Sequence, residues 1–399
     1  GYVGAGTVEF LVDEPPAGAP GDGRETSRVF FLEMNTRLQV EHPVTEEVFG
    51  LDLVAAQIAV AEGRALGEPP AGPVGHAIEV RLYAEDAADD WSPQTGTVRT
   101  FELPPAEGLR VDSAVESGSA VTHFYDAMIA KVVAYGADRA QAIRRLDGAL
   151  RRARVHGITT NLDLLRAILA DDEFAAGRVH TGLLGERLDA WTAPAVDAAE
   201  EERLVLAAAL AEARAASCAS PVQARIPTAF RNVPSQPRVR TYLLARGGAH
   251  DEVSASYTAR GGQLVSDSAP VVSSSPETVV LEVDGVTQRY HVSVGDGFVD
   301  VEGPRGSLSL TPVPAFVDPA VVVAAGSLLA PMPASVVSVG VEQGQQVAKG
   351  DVVVVLEAMK MQHTITAPTD GVVTELGVAP GQQVESGAVL AIVEGNEQS

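Results

Sequence analysis

Five polar side chains recur at every second position of residues 29–43, VFFLEMNTRLQVEHP: Glu33, Asn35, Arg37, Gln39 and Glu41. Leu32, Met34, Leu38 and Val40 fill the positions between them. In extended backbone, alternate residues share one face. The pattern therefore predicts a strand with a reactive face, ended by His42-Pro43. Alternate residues lie about 6.6 Å apart, at roughly 3.3 Å per residue. Glu33 and Asn35 are then close enough to converge on a hard cation such as Mg2+, which prefers oxygen ligands and retains water. Glu9, in the strand-like residues 6–11, would add a carboxylate from a neighbouring strand. The planar fork of Arg37 suits a planar oxyanion such as bicarbonate, which leaves Glu41 free to act as a base. The competing reading is the wet side of an ordinary antiparallel strand.

A second feature with chemical potential is Lys360, set between Met359 and Met361 in Glu357-Ala358-Met359-Lys360-Met361. It falls between two copies of one sequence. Residues 330–357 return, shifted by 37 positions, as residues 367–394. The copies share Ala-Pro at their starts, Gly340/Gly377, Val341/Val378, the run Gly-Gln-Gln-Val at 344–347 and 381–384, Gly350/Gly387, Val352/Val389 and Glu357/Glu394. Each copy reads as short apolar strands between Gly-containing turns. Neither is long enough to bury a sheet face alone, so the repeat predicts two half-sheets covering one another in a small two-fold β sandwich or flattened barrel. An amine in the turn between them would be exposed on a rigid base, as a covalent attachment point requires. The alternative is a plain surface lysine in a hairpin.

The chain that must position these residues divides by texture into residues 1–190, 191–325 and 326–396. In the first part strands and helices alternate, with a strand predicted over 78–84. A helix is predicted over 139–154, where Ile143, Leu146, Leu150 and Ala153 recur at helical spacing, Asp138 is a candidate N-cap and Gly157 follows the end. Arg144, Arg145, Arg151 and Arg152 then fall on its solvated side. A second helix is predicted over 162–169. The middle part opens with an Ala/Glu-rich helix over 199–216, followed by a loop punctuated by Pro221, Pro227, Pro234 and Pro237. Alternating segments at 238–244, 254–258, 278–283, 288–294 and 307–312, with Asp284-Gly285 and Asp296-Gly297 at turns, predict an antiparallel barrel packed with that helix. The fold class is thus multidomain α+β with a C-terminal all-β unit.

The Ala-Met-Lys-Met sequence closely resembles the biotinyl domains of biotin-dependent carboxylases, whose signature marks the lysine acylated by a biotin protein ligase. The related lipoyl domain usually has an acidic residue before its lysine, so Met359 and Met361 favour biotin. Residues 5–11, 33–46, 75–86, 124–131 and 156–161 resemble the C-terminal half of biotin carboxylase, an ATP-grasp enzyme, over roughly residues 1–190. The resemblance implies that Glu9, Glu33 and Asn35 hold Mg2+ or Mn2+ on the ATP phosphates. Arg37, Gln39 and the backbone of Val40 would bind bicarbonate, and Glu41 would deprotonate it for attack on the γ-phosphate. Arg81 would stabilise negative charge on the biotin ureido group, the alternative being a surface arginine on a strand. Such phosphoryl transfer runs on positioning and charge neutralisation.

The middle part resembles, through Ile226-Pro227 and residues 230–237, the domain by which α subunits of acyl-CoA carboxylases contact carboxyltransferase partners; Phe230 stands where that family often has tryptophan. Taken together, the resemblances imply the α subunit of an acyl-CoA carboxylase, with biotin on Lys360, ATP and bicarbonate as substrates, a separate carboxyltransferase β subunit and a hetero-oligomer containing a dimerising carboxylase domain. Acetyl-, propionyl- or methylcrotonyl-CoA are the family's usual acceptors. Neither a glycine-rich phosphate loop nor a nucleotide-clamping lysine is found, so the expectation is a C-terminal part that does not turn over alone. The rivals are a carrier and docking module without catalysis, or part of a urea or pyruvate carboxylase.

Composition narrows the classes further. The 399 residues carry 29 Lys plus Arg against 53 Asp plus Glu, a net charge of −24. That disfavours nucleic acid and anionic membranes as partners. The single cysteine, Cys218, excludes an intramolecular disulfide and suits a reducing cytoplasm. No apolar run reaches the length of a bilayer span, and the first residues have no signal-peptide pattern.

Overall fold

The computed structural model describes residues 1–13, 28–193, 196–222, 226–232, 236–246, 249–314, 316, 326–358, 361–385 and 387–395. Strands β1 (Thr7–Asp13) and β2 (Arg28–Asn35) form an antiparallel ribbon in which Glu9 lies opposite Glu33 and Thr7 opposite Asn35. Phe10, Leu11, Phe30, Phe31 and Leu32 of this ribbon are exposed.

The expectation of one strand through residue 41 is corrected here. β2 stops at Asn35, and residues 36–41 turn into helix α1 (His42–Phe49). Pro43 sits in the first turn of that helix, where its missing N–H costs nothing and its fixed φ is already helical. His42-Pro43 therefore begins a helix instead of closing a strand. Gly50 caps the other end in the left-handed region at φ 65°, the conformation glycine adopts without Cβ strain.

Strand β3 (His76–Tyr83) pairs with Met128–Gly136, which pairs in turn with Leu109–Ser113, giving a three-stranded antiparallel sheet. One face packs Ile78, Val132 and Ala134 against Ala142, Leu146 and Leu150 of helix Arg139–Leu150. Asp138 caps that helix by accepting from the Gln141 N–H at 2.7 Å. The helix ends sooner than the periodicity suggested, because Arg154–His156 leaves it to pair with Thr100–Glu102. Arg145 departs from the predicted solvated face: half-buried, it donates to the Tyr135 carbonyl at 2.7 Å and to Glu107 at 3.0 Å. Gly157, just past that strand, has φ +105°, and a Cβ there would collide with the Thr97 carbonyl oxygen. The second predicted helix spans Leu162–Ala170.

In the middle part a single helix, Ala198–Cys218, has Leu204 to Ala211 fully enclosed. A helix apolar all round is stable only inside a core, and an eight-stranded antiparallel sheet curls about this one. The sheet's inner face contributes Tyr242, Leu244, Val279, Leu281, Tyr290, Val299, Val301 and Leu310. Each predicted strand of this part is present, with Asp284-Gly285 in the left-handed region at a two-residue turn. Charged side chains tie this sheet to the preceding part. Arg99 donates to both oxygens of buried Asp300 at 2.9 and 2.6 Å, and Arg154 reaches Glu302 at 2.6 Å. His156 lies 2.5 Å from the same Glu302.

The repeated sequence forms two four-stranded sheets. One is ordered Met361–Thr366, Val352–Ala358, Ala334–Val339, Gln346–Val347's repeat mate Gln383–Val384; the other is Ser327–Leu329, Val389–Gly395, Gly371–Leu376, Gln346–Val347. Moving each strand by the repeat length converts one sheet into the other. Each sheet thus takes strands from both halves, so neither half closes its core without the other. Val353, Val354, Leu356, Val373, Leu390 and Ala391 are buried at its centre. Among the described residues, no helix is long and apolar enough to cross a membrane.

Candidate functional site

Cross-strand pairing places Glu9 and Glu33 directly opposite, an arrangement that like charges disfavour unless something positive lies between them. The Asn35 amide does so, donating to Glu9 Oε1 at 3.0 Å and to Glu33 Oε1 at 2.9 Å. Two carboxylates converge on one point with an amide whose own oxygen is a rotation away. This donor set, hard and oxygen-based, fits a Mg2+-like ion that keeps part of its water. No cluster of three or more His, Cys, Asp or Glu side chains suited to a metal occurs among the described residues.

The turn after β2 carries the next group. Arg37 donates to Gln39 Oε1 at 2.7 Å and to the Leu38 carbonyl at 3.2 Å. Glu41 occupies the N-cap position of α1 but makes no capping hydrogen bond. Its carboxylate instead accepts from Arg81 Nη2 at 2.7 Å. Both partners are substantially exposed, so the pair contributes little to stability; its significance is positional.

Arg81 is held by the sheet. The buried Asn161 accepts from the Tyr83 N–H at 2.9 Å and donates to the Arg81 carbonyl at 3.1 Å, finishing the edge of β3. Lys131, opposite Arg81 on the central strand, donates to the Val40 carbonyl at 3.2 Å and lies 3.5 Å from Asp112. Arg110 grips Asp112 and the buried Glu46 of α1, the latter at 2.6 Å, and holds the Asp112 carboxyl below its usual range. Glu46 also accepts from the Leu53 N–H at 2.8 Å. The polar face of the sheet thus forms a floor that fixes the 37–41 turn from beneath.

The seven side chains predicted around the reaction fall into three groups in contact: Glu9–Glu33–Asn35, Arg37–Gln39 and Glu41–Arg81. The separation between these groups comes from the turn, which replaces the single extended face that periodicity suggested. Lys131, Asn161, Arg110 and Glu46 are not among the predicted site residues, although Lys131, Asn161 and Glu46 lie within the motifs quoted above. Their signal was present but weak, since a lysine or asparagine on a strand or helix end has no distinctive spacing.

At the other end of the chain, Ala358 pairs with Met361 across the hairpin of Val352–Ala358 and Met361–Thr366. Met359 and Lys360 lie outside the described residues. The strand leading into the hairpin is firmly anchored, with Leu356 and Ala358 almost wholly buried.

Four family models match in succession: "Carbamoyl-phosphate synthase L chain, ATP binding domain" over residues 1–69, "Biotin carboxylase C-terminal domain" over 79–186, "Methylcrotonyl-CoA carboxylase, alpha-subunit, BT domain" over 200–315 and "Biotin-requiring enzyme" over 326–393. The propionyl-CoA carboxylase alpha chain of Mus musculus is 33% identical over 403 residues, covering 92% of this chain and 51% of its own. The methylcrotonoyl-CoA carboxylase subunit alpha of Dictyostelium discoideum is 32% identical over 393 residues, covering 92% and 54%. Biotin carboxylase 2 of Bacillus subtilis is 47% identical over 190 residues, covering 47% and 40%. The chain therefore spans about half the length of the curated relatives it matches.

Proposed function

We propose that this chain, similar over 92% of its length to acyl-CoA carboxylase alpha chains and matched in succession by biotin-carboxylase and biotinyl family models, works as part of an acyl-CoA carboxylase α subunit. In that reading Lys360 carries biotin, added by a biotin protein ligase, and the carboxyl group passes to a separate carboxyltransferase subunit. The divalent ion, bound by Glu9, Glu33 and Asn35, would supply charge neutralisation at the ATP phosphates. Arg37 and Gln39, with the Val40 backbone, orient bicarbonate. Glu41 takes its proton as a bicarbonate oxygen attacks the γ-phosphorus and the bond to ADP breaks, giving carboxyphosphate. Arg81, beside Glu41, would be placed to stabilise negative charge on the ureido group of bound biotin.

The observation that carries this reading is the 2.7 Å contact between Glu41 and Arg81. It unites a base and a guanidinium 40 positions apart in sequence, where a solvated strand face would leave each to water. The helix-centred barrel of residues 198–312 is the surface we assign to the carboxyltransferase partner, and residues 1–190, 191–325 and 326–396 are our domain limits.

The test is an assay of ATP cleavage dependent on bicarbonate and biotin, run on the native protein and on the 399 residues alone. The native protein is expected to turn over and the 399 residues alone to be silent. Native protein that bears biotin yet never cleaves ATP would leave a carrier and docking module, and the catalytic reading would be wrong.

A further inference from the structure

Glu79 lies two residues before Arg81 on β3 and so shares its face of the strand. Strand pairing sets Val133 opposite Glu79 and Lys131 opposite Arg81, which makes Lys131 a diagonal neighbour within reach of a long side chain. Both Glu79 carboxyl oxygens are shielded from solvent, and neither has a hydrogen-bond partner among the described residues. A buried carboxyl group left unpartnered costs stability. Its presence in a floor otherwise built of paired charges calls for a reason other than folding.

The surrounding cations differ in their commitments. Lys131 is shared between the Val40 carbonyl and Asp112, and Arg110 between Asp112 and Glu46. Arg81 has Glu41 as its one carboxylate partner among the described residues. When Glu41 accepts the bicarbonate proton, its charge disappears and that partner is lost. The carboxylates that act on Glu79 are Glu41 and Asp112; on α1, which packs against β3, His42 and Glu46 lie 3.9 Å from each other. Asp112 and Glu46 are themselves engaged by Arg110.

We propose that Glu79 is a positioning residue: the alternate carboxyl partner that holds Arg81 in place while Glu41 carries the proton taken from bicarbonate. This rests on the roles given to Glu41 and Arg81 above. Burial, opposed by Lys131 and Arg81 and aided by the charges of Glu41 and Asp112, pushes the Glu79 carboxyl up to about 7. Neutralising Glu41 removes one of the charges that keep Glu79 protonated. As a proton arrives on Glu41, Glu79 releases one to solvent, and the net charge beside Arg81 is conserved.

The experiment compares Glu79→Gln and Glu79→Asp with the unsubstituted native protein in bicarbonate-dependent ATP cleavage across neutral pH. Glu79→Gln is expected to lower kcat roughly tenfold to a hundredfold, the scale of a misplaced catalytic group, with KM for ATP unchanged. It also abolishes an acid limb near pH 7 that the unsubstituted protein shows, while Glu79→Asp retains the limb and recovers part of the rate. A Gln variant with the limb still in place, at full or reduced kcat, overturns the proposal. Should the Gln variant fail to fold, carbon-13 spectra of the glutamate-labelled, unsubstituted chain decide: a carboxyl group titrating near 7 supports the role, and none doing so refutes it. Unsubstituted protein without bicarbonate-dependent cleavage would overturn the proposed function itself, and this role with it.

Discussion

The two ends of this chain solve the problem of presenting a reactive group in opposite ways. The C-terminal unit duplicates one sequence, interleaves the copies in two sheets and buries a continuous core, and in the proposed function its chemistry falls to Lys360 alone. The N-terminal part, in the same proposal, spreads its chemistry over a ribbon, a turn and the edge of a separate sheet, the turn and the helix after it held to the sheet by polar contacts at 2.6 to 3.2 Å. A rigid platform suits a group that must travel. A reaction that moves protons and phosphoryl groups instead needs several charges converging from different elements, each held by a partner it can exchange.

The sharpest break of this contrast is at Lys360. Lys360→Arg, coexpressed with a biotin ligase, is expected to lose the whole biotin-sized mass gain while the circular dichroism of the carrier unit is unchanged; a gain that survives would remove Lys360 as the tether. At the other end, Glu41→Gln in the native protein should lower bicarbonate-dependent turnover by roughly a hundredfold to ten-thousandfold, the usual contribution of a positioned base. Binding of the metal–nucleotide complex, followed by calorimetry, should persist. Unaltered turnover would show that Glu41 is not the base.

Smaller effects probe the packing itself. Leu356→Ala removes a wholly buried side chain from the carrier core and should cost about 2–5 kcal/mol in urea unfolding of that unit. Phe31→Ala in the ribbon, where the side chain is 64% exposed, should cost less than about 0.5 kcal/mol in the same chain. Equal losses at the two positions would contradict the difference in burial. A pH-dependent change concerns Glu79. Its folded-state value is raised from 4.5 to about 7, so the stability linked to its protonated form is complete below 4.5 and fades as pH rises through 7. Glu79→Gln should therefore melt above the unsubstituted chain at pH 8 and no higher at pH 4, as read by calorimetric scans.

The repeat, the helix over residues 198–218 and the barrel strands were all legible in the sequence, because each depends on local pattern: a fixed offset, an alanine- and leucine-rich run, alternation broken by Asp-Gly. The meeting of Glu9, Glu33 and Asn35 was legible as well, since Glu33 and Asn35 are near neighbours and Glu9 lies on an adjoining strand. Periodicity failed between Asn35 and Glu41, where proline at the first turn of a helix and a tight turn replaced the strand. Alternation along a chain cannot distinguish a strand from a turn whose side chains are drawn by partners elsewhere. Local sequence thus determined which groups are present and which segments carry them. Only tertiary packing brought Arg81 to Glu41 and Lys131 to the Val40 carbonyl and left the Glu79 carboxyl shielded, with no hydrogen-bond partner among the described residues, because charge pairing and burial depend on distances between elements that sequence separation does not encode.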